Sequence, residues 1–189
     1  MSFENPYANE KLAKDYIRRS RGYDGRYLIR LLRRYLPTNR SILELGMGPG
    51  VDLDILSETY IATGSDLSEA FLEIYRKNNP GTSVILLNAI DLNTKDQFDA
   101  IYSNKVLQHL TREELHLSFQ RQIDILTSRG ILCHSFWKGD TSERDEFGCM
   151  YYTKELLWEI ANNYSDVLLL ESYAEMETDD SIVLIAQKR

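Results

Sequence analysis

The chain has 189 residues, 43% of them hydrophobic and 27% charged, and 22 Lys and Arg against 29 Asp and Glu leave a net charge of −7. That length suits one domain around one core, no apolar run approaches the roughly 18 residues a membrane span needs, and the acidic balance disfavours nucleic acid as a partner. MSFENPYANEKLAK lacks the apolar centre of an export signal, and Cys133 and Cys149 make neither a disulfide framework nor a metal-binding spacing, so a cytoplasmic protein with no membrane contact is expected.

Charge is uneven along the chain. Residues 1–40 carry ten Lys and Arg against Glu4, Glu10, Asp15 and Asp24, whereas the rest is strongly acidic. Arg18, Arg19, Arg21, Arg26, Arg30, Arg33 and Arg34 read as solvated faces of amphipathic helices. Leu28, Leu31, Leu32 and Tyr35 fall on one helical face, predicting a helix over 24–36 that Pro37 stops. From Ser41 onward strands and helices alternate: strand 41–45, helix 51–58, strand 60–65, helix 69–78, strands 83–87 and 98–103, helix 112–127, strand 130–136, helix 154–163. Thr111 and Glu114 have the spacing of a capping box, and Ser68 that of an N-cap flanked by a Leu67–Leu72 hydrophobic staple. Runs 166–175 and 181–188 have no helix between them and should pair as an antiparallel hairpin. The expected architecture is α/β: a Rossmann-like three-layer sandwich, its seven-stranded sheet mostly parallel with that hairpin at the C-terminus.

The most informative stretch is Ser41–Gly50, SILELGMGPG, in which an apolar run carrying one acid, Glu44, opens into the turn Gly46-Met47-Gly48-Pro49-Gly50. Glycines allow positive φ and close approach of backbone to a ligand, and the helix that follows presents free N–H groups. A dinucleotide fingerprint, G-x-G-x-x-G, needs a third glycine where Val51 stands, which demotes a nicotinamide-dependent oxidoreductase to an alternative. Asp66 ends the second apolar stretch twenty residues after Gly46.

This order of segments resembles the class I S-adenosylmethionine-dependent methyltransferases over roughly residues 40 to 189. The resemblance implies that Glu44, Gly46, Met47, Gly48 and Gly50 hold the amino-acid end of S-adenosylmethionine and that Asp66, with Leu67, meets its ribose. Asn88, Ala89 and Ile90 would frame the adenine, with Asn88 standing where the family usually has Asp. Ser103 and Asn104, at the carboxyl end of the fourth strand where ligands of open sheets sit, would also bind the cofactor. His109 follows in the helix entry as a candidate general base. Tyr16, Trp137 and Tyr151 are candidate substrate contacts, and Tyr7 and Tyr152 candidate roof residues. No metal ligand set is expected. The fourth motif reads Ser103-Asn104-Lys105-Val106 and lacks the paired prolines of nucleic-acid methyltransferases, which points to a small-molecule acceptor. Residues 1–40 are expected as a helical lid on a cofactor-binding core of 41–189, within a single domain. A non-catalytic binding module with the same fold is the other alternative.

Overall fold

The computed structural model describes residues 9–140, 144–146 and 148–189. Helices α1 (Glu10–Arg19) and α2 (Arg26–Leu32) precede β1 (Ser41–Leu45), α3 (Val51–Ser57), β2 (Ile61–Asp66), α4 (Glu69–Asn78) and β3 (Val84–Leu86). There follow β4 (Phe98–Asn104), a 3₁₀ turn at Leu107–His109, α5 (Arg112–Ile125), β5 (Leu126–Trp137), α6 (Lys154–Asn162), β6 (Ser165–Tyr173) and β7 (Ser181–Lys188). The seven strands form one sheet in the order β3-β2-β1-β4-β5-β7-β6. β1 to β5 run parallel, and β7 pairs antiparallel with both β5 and β6. The expected sandwich and its terminal hairpin are therefore both present.

Strand periodicity divides the core between two faces. Ile42, Ala100, Tyr102, Ile131, Cys133, Val183 and Ile185 pack with Leu28, Leu31, Leu32, Ile55 and Leu56 of α2 and α3. Their chain neighbours Leu43, Leu45, Ile101, Leu132, Leu184 and Ala186 pack on the other face with Leu115, Phe119, Leu157 and Ile160 of α5 and α6. A sheet apolar on both faces must be covered on both, which fixes three layers. Thr111 accepts from the Glu114 N–H while the Glu114 carboxylate accepts from the Thr111 N–H, completing the capping box expected of α5. Ser68 caps α4 through the Phe71 N–H, but Leu67 is exposed.

Three elements differ from the periodic reading. α1, not drawn by that reading, is a mostly charged helix whose narrow apolar face of Ala13, Tyr16 and Ile17 packs on Ala70 and Phe71 of α4. α2 is shorter than the 24–36 reading at both ends. β5 begins at Leu126, directly after α5, because Leu126 pairs with Phe98 ahead of a register shift; Arg129 at φ 60° and Gly130 lie within that irregularity.

Candidate cofactor cleft

Strand order reverses at β1, which has β2 on one side and β4 on the other. In open parallel sheets the crevice at such a reversal, outside the strands' carboxyl ends, is where ligands sit. A cleft of about 300 Å³ lies there, walled by the glycine turn after β1, Asn104 at the end of β4 with Lys105 just beyond it, Trp137 at the end of β5, and Tyr16, Ser20, Tyr23 and Asp24 from the N-terminal segment. Glu44, Asp52, Glu175 and Met176 complete its lining.

The turn is held in an unusual backbone state: Gly46, Gly48 and Gly50 have φ of 64°, 48° and 84°. Side chains there would be strained, and a Cβ on Gly46 or Gly50 would also overlap Val106 or Tyr75. Asp66 braces the turn by accepting the Gly48 N–H at 2.9 Å on Oδ2 and the Ser68 N–H at 2.8 Å on Oδ1. Burial raises its carboxyl pKa, opposed by these backbone donors. The Tyr16 ring stands above Gly48 and meets Phe71 edge-on at 5.6 Å.

Glu44 is 3% exposed, and its Oε2 is buried without a hydrogen-bond partner. Burial, and then the nearby Asp52, Asp66 and Asp54, push its pKa well above the usual carboxylate range. A buried anion of this kind gains most from a cation placed beside it. Asp52, by contrast, has partners on both oxygens: Oδ1 accepts the Gly25 N–H at 2.6 Å, and Oδ2 accepts the Tyr102 hydroxyl at 2.7 Å and the Asn104 amide at 3.1 Å. Asp52 thereby ties the N-terminal segment to β4, and a Cβ on Gly25 would collide with it.

Lys105, at φ 57°, lines the cleft with its ammonium 3.8 Å from the centre of the Trp137 ring. It donates to Phe136 O at 3.0 Å and Ser181 Oγ at 2.6 Å, and pairs with Glu175 Oε2 at 3.1 Å. Burial lowers its pKa to about 8 even though Glu175 raises it.

Of the residues expected from sequence, Glu44, Gly46, Met47, Gly48, Asn104, Tyr16 and Trp137 line the cleft, and Gly50 closes the turn. Asn88 uses its oxygen locally, accepting the Ile90 N–H at 2.9 Å, and Ala89 O accepts from Ser118. The Ser103 hydroxyl is buried against His134 Nδ1 at 2.9 Å, so only its backbone remains for a ligand. His109 is not brought to the cleft wall: its ring lies 3.7 Å from Cys149 Sγ, its carbonyl accepts from Arg144, and burial lowers its pKa. Tyr151 donates to Asp145, away from the cleft lining, while Tyr152 is a core residue bonded to Leu110 O. Tyr7 lies outside the described residues. Asp52, Lys105 and Glu175 were missed in the sequence because each is recruited by long-range pairing; only the left-handed turn after β4 places Lys105 here.

A methyltransferase domain family matches residues 42–130. Trans-aconitate 2-methyltransferase of Rhizobium etli is 32% identical over 97 residues, 49% of this chain and 37% of that protein, so the match spans little more than a third of the relative's length. Among solved structures, a TehB-like S-adenosylmethionine-dependent methyltransferase of Corynebacterium glutamicum is similar with a TM-score of 0.76 at 20% identity, over 96% of this chain and 100% of that one. N-methyltransferase NodS of Bradyrhizobium japonicum, solved with S-adenosyl-L-homocysteine, has a TM-score of 0.71 at 15% identity, covering 93% and 98%. Residues 42–130 thus match a methyltransferase domain, and the fold over nearly the whole chain is shared with solved S-adenosylmethionine-dependent methyltransferases.

Proposed function

We propose that this chain transfers the methyl group of S-adenosylmethionine to a small-molecule acceptor in the cleft beside β1 and β4. Glu44 carries the reading. A buried carboxylate with a bare oxygen, two residues before the glycine turn begins its left-handed course, is stabilised by a ligand that brings a cation. The ammonium of the cofactor's amino-acid end meets that need, cradled by Gly46, Met47, Gly48 and Gly50. Asp66, after accepting from the Gly48, Ser68 and Leu67 N–H groups, keeps one acceptor position for a ribose hydroxyl, with Leu67 alongside. Asn88, Ala89 and Ile90 offer mainly backbone groups to the adenine, since the Asn88 oxygen is engaged.

The cofactor supplies an electrophilic methyl carbon. What the chain contributes is orientation and exclusion of water, the first by Asn104 and the Ser103 backbone, the second by Tyr16, Tyr23 and Trp137. No proton transfer is assigned to His109. A small acceptor is supported by the modest cleft and by the absence of the paired-proline tetrapeptide. No helix of the described residues is long and apolar enough to cross a membrane, which agrees with a cytoplasmic role.

The test is calorimetric titration with S-adenosylmethionine. Binding by the wild type should be abolished by Gly48→Val. Asp66→Ala should weaken it about 10- to 100-fold through lost charge-assisted hydrogen bonds, with circular dichroism unchanged. A wild type that binds NADH but not S-adenosylmethionine would make the oxidoreductase the better reading, and undiminished affinity in Asp66→Ala would remove that residue from the site.

A further inference from the structure

We infer that the methyl acceptor is an amine, received at the carboxylate of Glu175 between Trp137 and Met176, and that the cleft discriminates against carboxylate and phosphate acceptors. The inference rests on the methyltransferase reading above and names its substrate class.

The charges lining the cleft are Asp24, Glu44, Asp52 and Glu175 against one cation, Lys105. An ammonium has three protons to donate. Those of Lys105 are spent on Phe136 O, Ser181 Oγ and Glu175 Oε2, with the Trp137 ring over the same group. An anionic acceptor would therefore find no uncommitted cation among the described residues of the wall. The remaining segments, 1–8, 141–143 and Phe147, contain no lysine or arginine.

The acids differ in what they have left to give. Both oxygens of Asp52 already accept, from Gly25, Tyr102 and Asn104, both of Asp24 accept from Arg26, and Glu44 is allotted to the cofactor. Glu175 receives Lys105, the Tyr173 hydroxyl at 2.8 Å and the Ser181 hydroxyl at 3.4 Å, all on Oε2. Its Oε1 takes none of these bonds. Lys105 acts as a positioning residue here: it fixes one oxygen of Glu175 and leaves the other for a ligand N–H.

The chemistry balances. The neutral amine donates an N–H to Glu175 Oε1 and attacks the methyl carbon with its lone pair. As the new C–N bond forms, the C–S bond breaks, its electron pair returns to sulfur, and the sulfonium becomes a thioether. The methylated ammonium then releases its extra proton through Glu175 to water.

The experiment is calorimetry on the full-length protein, with and without saturating S-adenosylhomocysteine, using 2-phenylethylamine against 3-phenylpropanoate, two probes of similar body and opposite charge. The amine should bind at least about tenfold more tightly, the worth of one charge-assisted hydrogen bond, and Glu175→Gln should erase that preference while leaving S-adenosylhomocysteine affinity intact. Equal affinities, a preference for the acid, no binding of either probe, or a preference that survives in Glu175→Gln overturns the inference. Failure to bind S-adenosylhomocysteine would instead count against the cofactor reading, and the titrations without it still judge the acceptor.

Discussion

At the scale of single residues, Glu44 and Lys105 give the cleft opposite pH signatures. Glu44 has a raised pKa, so its carboxyl is protonated over a window in which an ordinary glutamate is charged. A bound cation favours the ionised form, hence binding expels a proton and affinity rises with pH across that window. S-adenosylhomocysteine affinity measured from about pH 5 upward should climb by as much as tenfold per pH unit before levelling, and Glu44→Gln should flatten most of the climb. Lys105 works in the other sense. Its folded pKa of about 8 lies below the ordinary lysine value, so the folded chain holds fewer protons than the unfolded chain between about pH 8 and about pH 10. Stability contributed by this group therefore increases over that interval as the cost of burying the charge disappears. Urea melts of the wild type minus those of Lys105→Met should drift in favour of the wild type from pH 8 to pH 10; a drift the other way would mean that the Glu175 pairing outweighs burial. Both residues are visible in the sequence, but only Glu44 was legible as functional. It sits in a motif, while Lys105 acquires its surroundings from β5 and the β6–β7 turn, far away along the chain.

Among the elements, the turn between β1 and α3 was the most legible, since alternate glycines have few uses other than a run of positive φ. What sequence left open was why each glycine is needed. Gly50 combines a left-handed backbone with the Tyr75 ring where a Cβ would stand, whereas Gly81, at φ 92°, has open space there. Gly81→Ala should cost only the backbone term, about 1 kcal/mol, while Gly50→Ala should add overpacking of the α3–α4 contact for a total of about 2–4 kcal/mol. Urea denaturation of the two variants separates these terms, and equal losses would show that Tyr75 yields freely. Strands were read well because burial on both faces makes them continuous apolar runs, and the capping box fixed the start of α5. The start of β5 was not readable. Leu126 and Thr127 read as the end of a helix and Ser128 and Arg129 as a loop, yet the strand begins at Leu126 because β4 supplies a pairing partner at Phe98.

For the molecule as a whole, the N-terminal forty residues have two physical roles that their shared basic charge conceals. α2 is a core helix: Leu28, Ile29 and Leu32 are at most 1% exposed and pack with β1, β4 and β5 strand residues. α1 meets the body through the small cluster of Ala13, Ala70 and Phe71, and its Tyr16 stands over Gly48. A lid must be separable from the fold that it covers, which α2 is not; the Gly25 N–H, held by Asp52, marks where the chain joins the core. Deleting residues 1–19 should therefore leave a cooperative thermal transition and the far-UV signal of the sheet, while S-adenosylhomocysteine affinity drops about tenfold as the Tyr16 ring is lost from above the turn. Leu28→Ala should behave in the reverse way, costing about 2–5 kcal/mol of stability for the cavity it opens, with cofactor affinity little changed in the fraction that stays folded. If instead the deletion abolished cooperative melting, the small α1–α4 cluster would be part of the fold's minimum core, and closure of the cleft could not depend on α1 moving independently of the sheet.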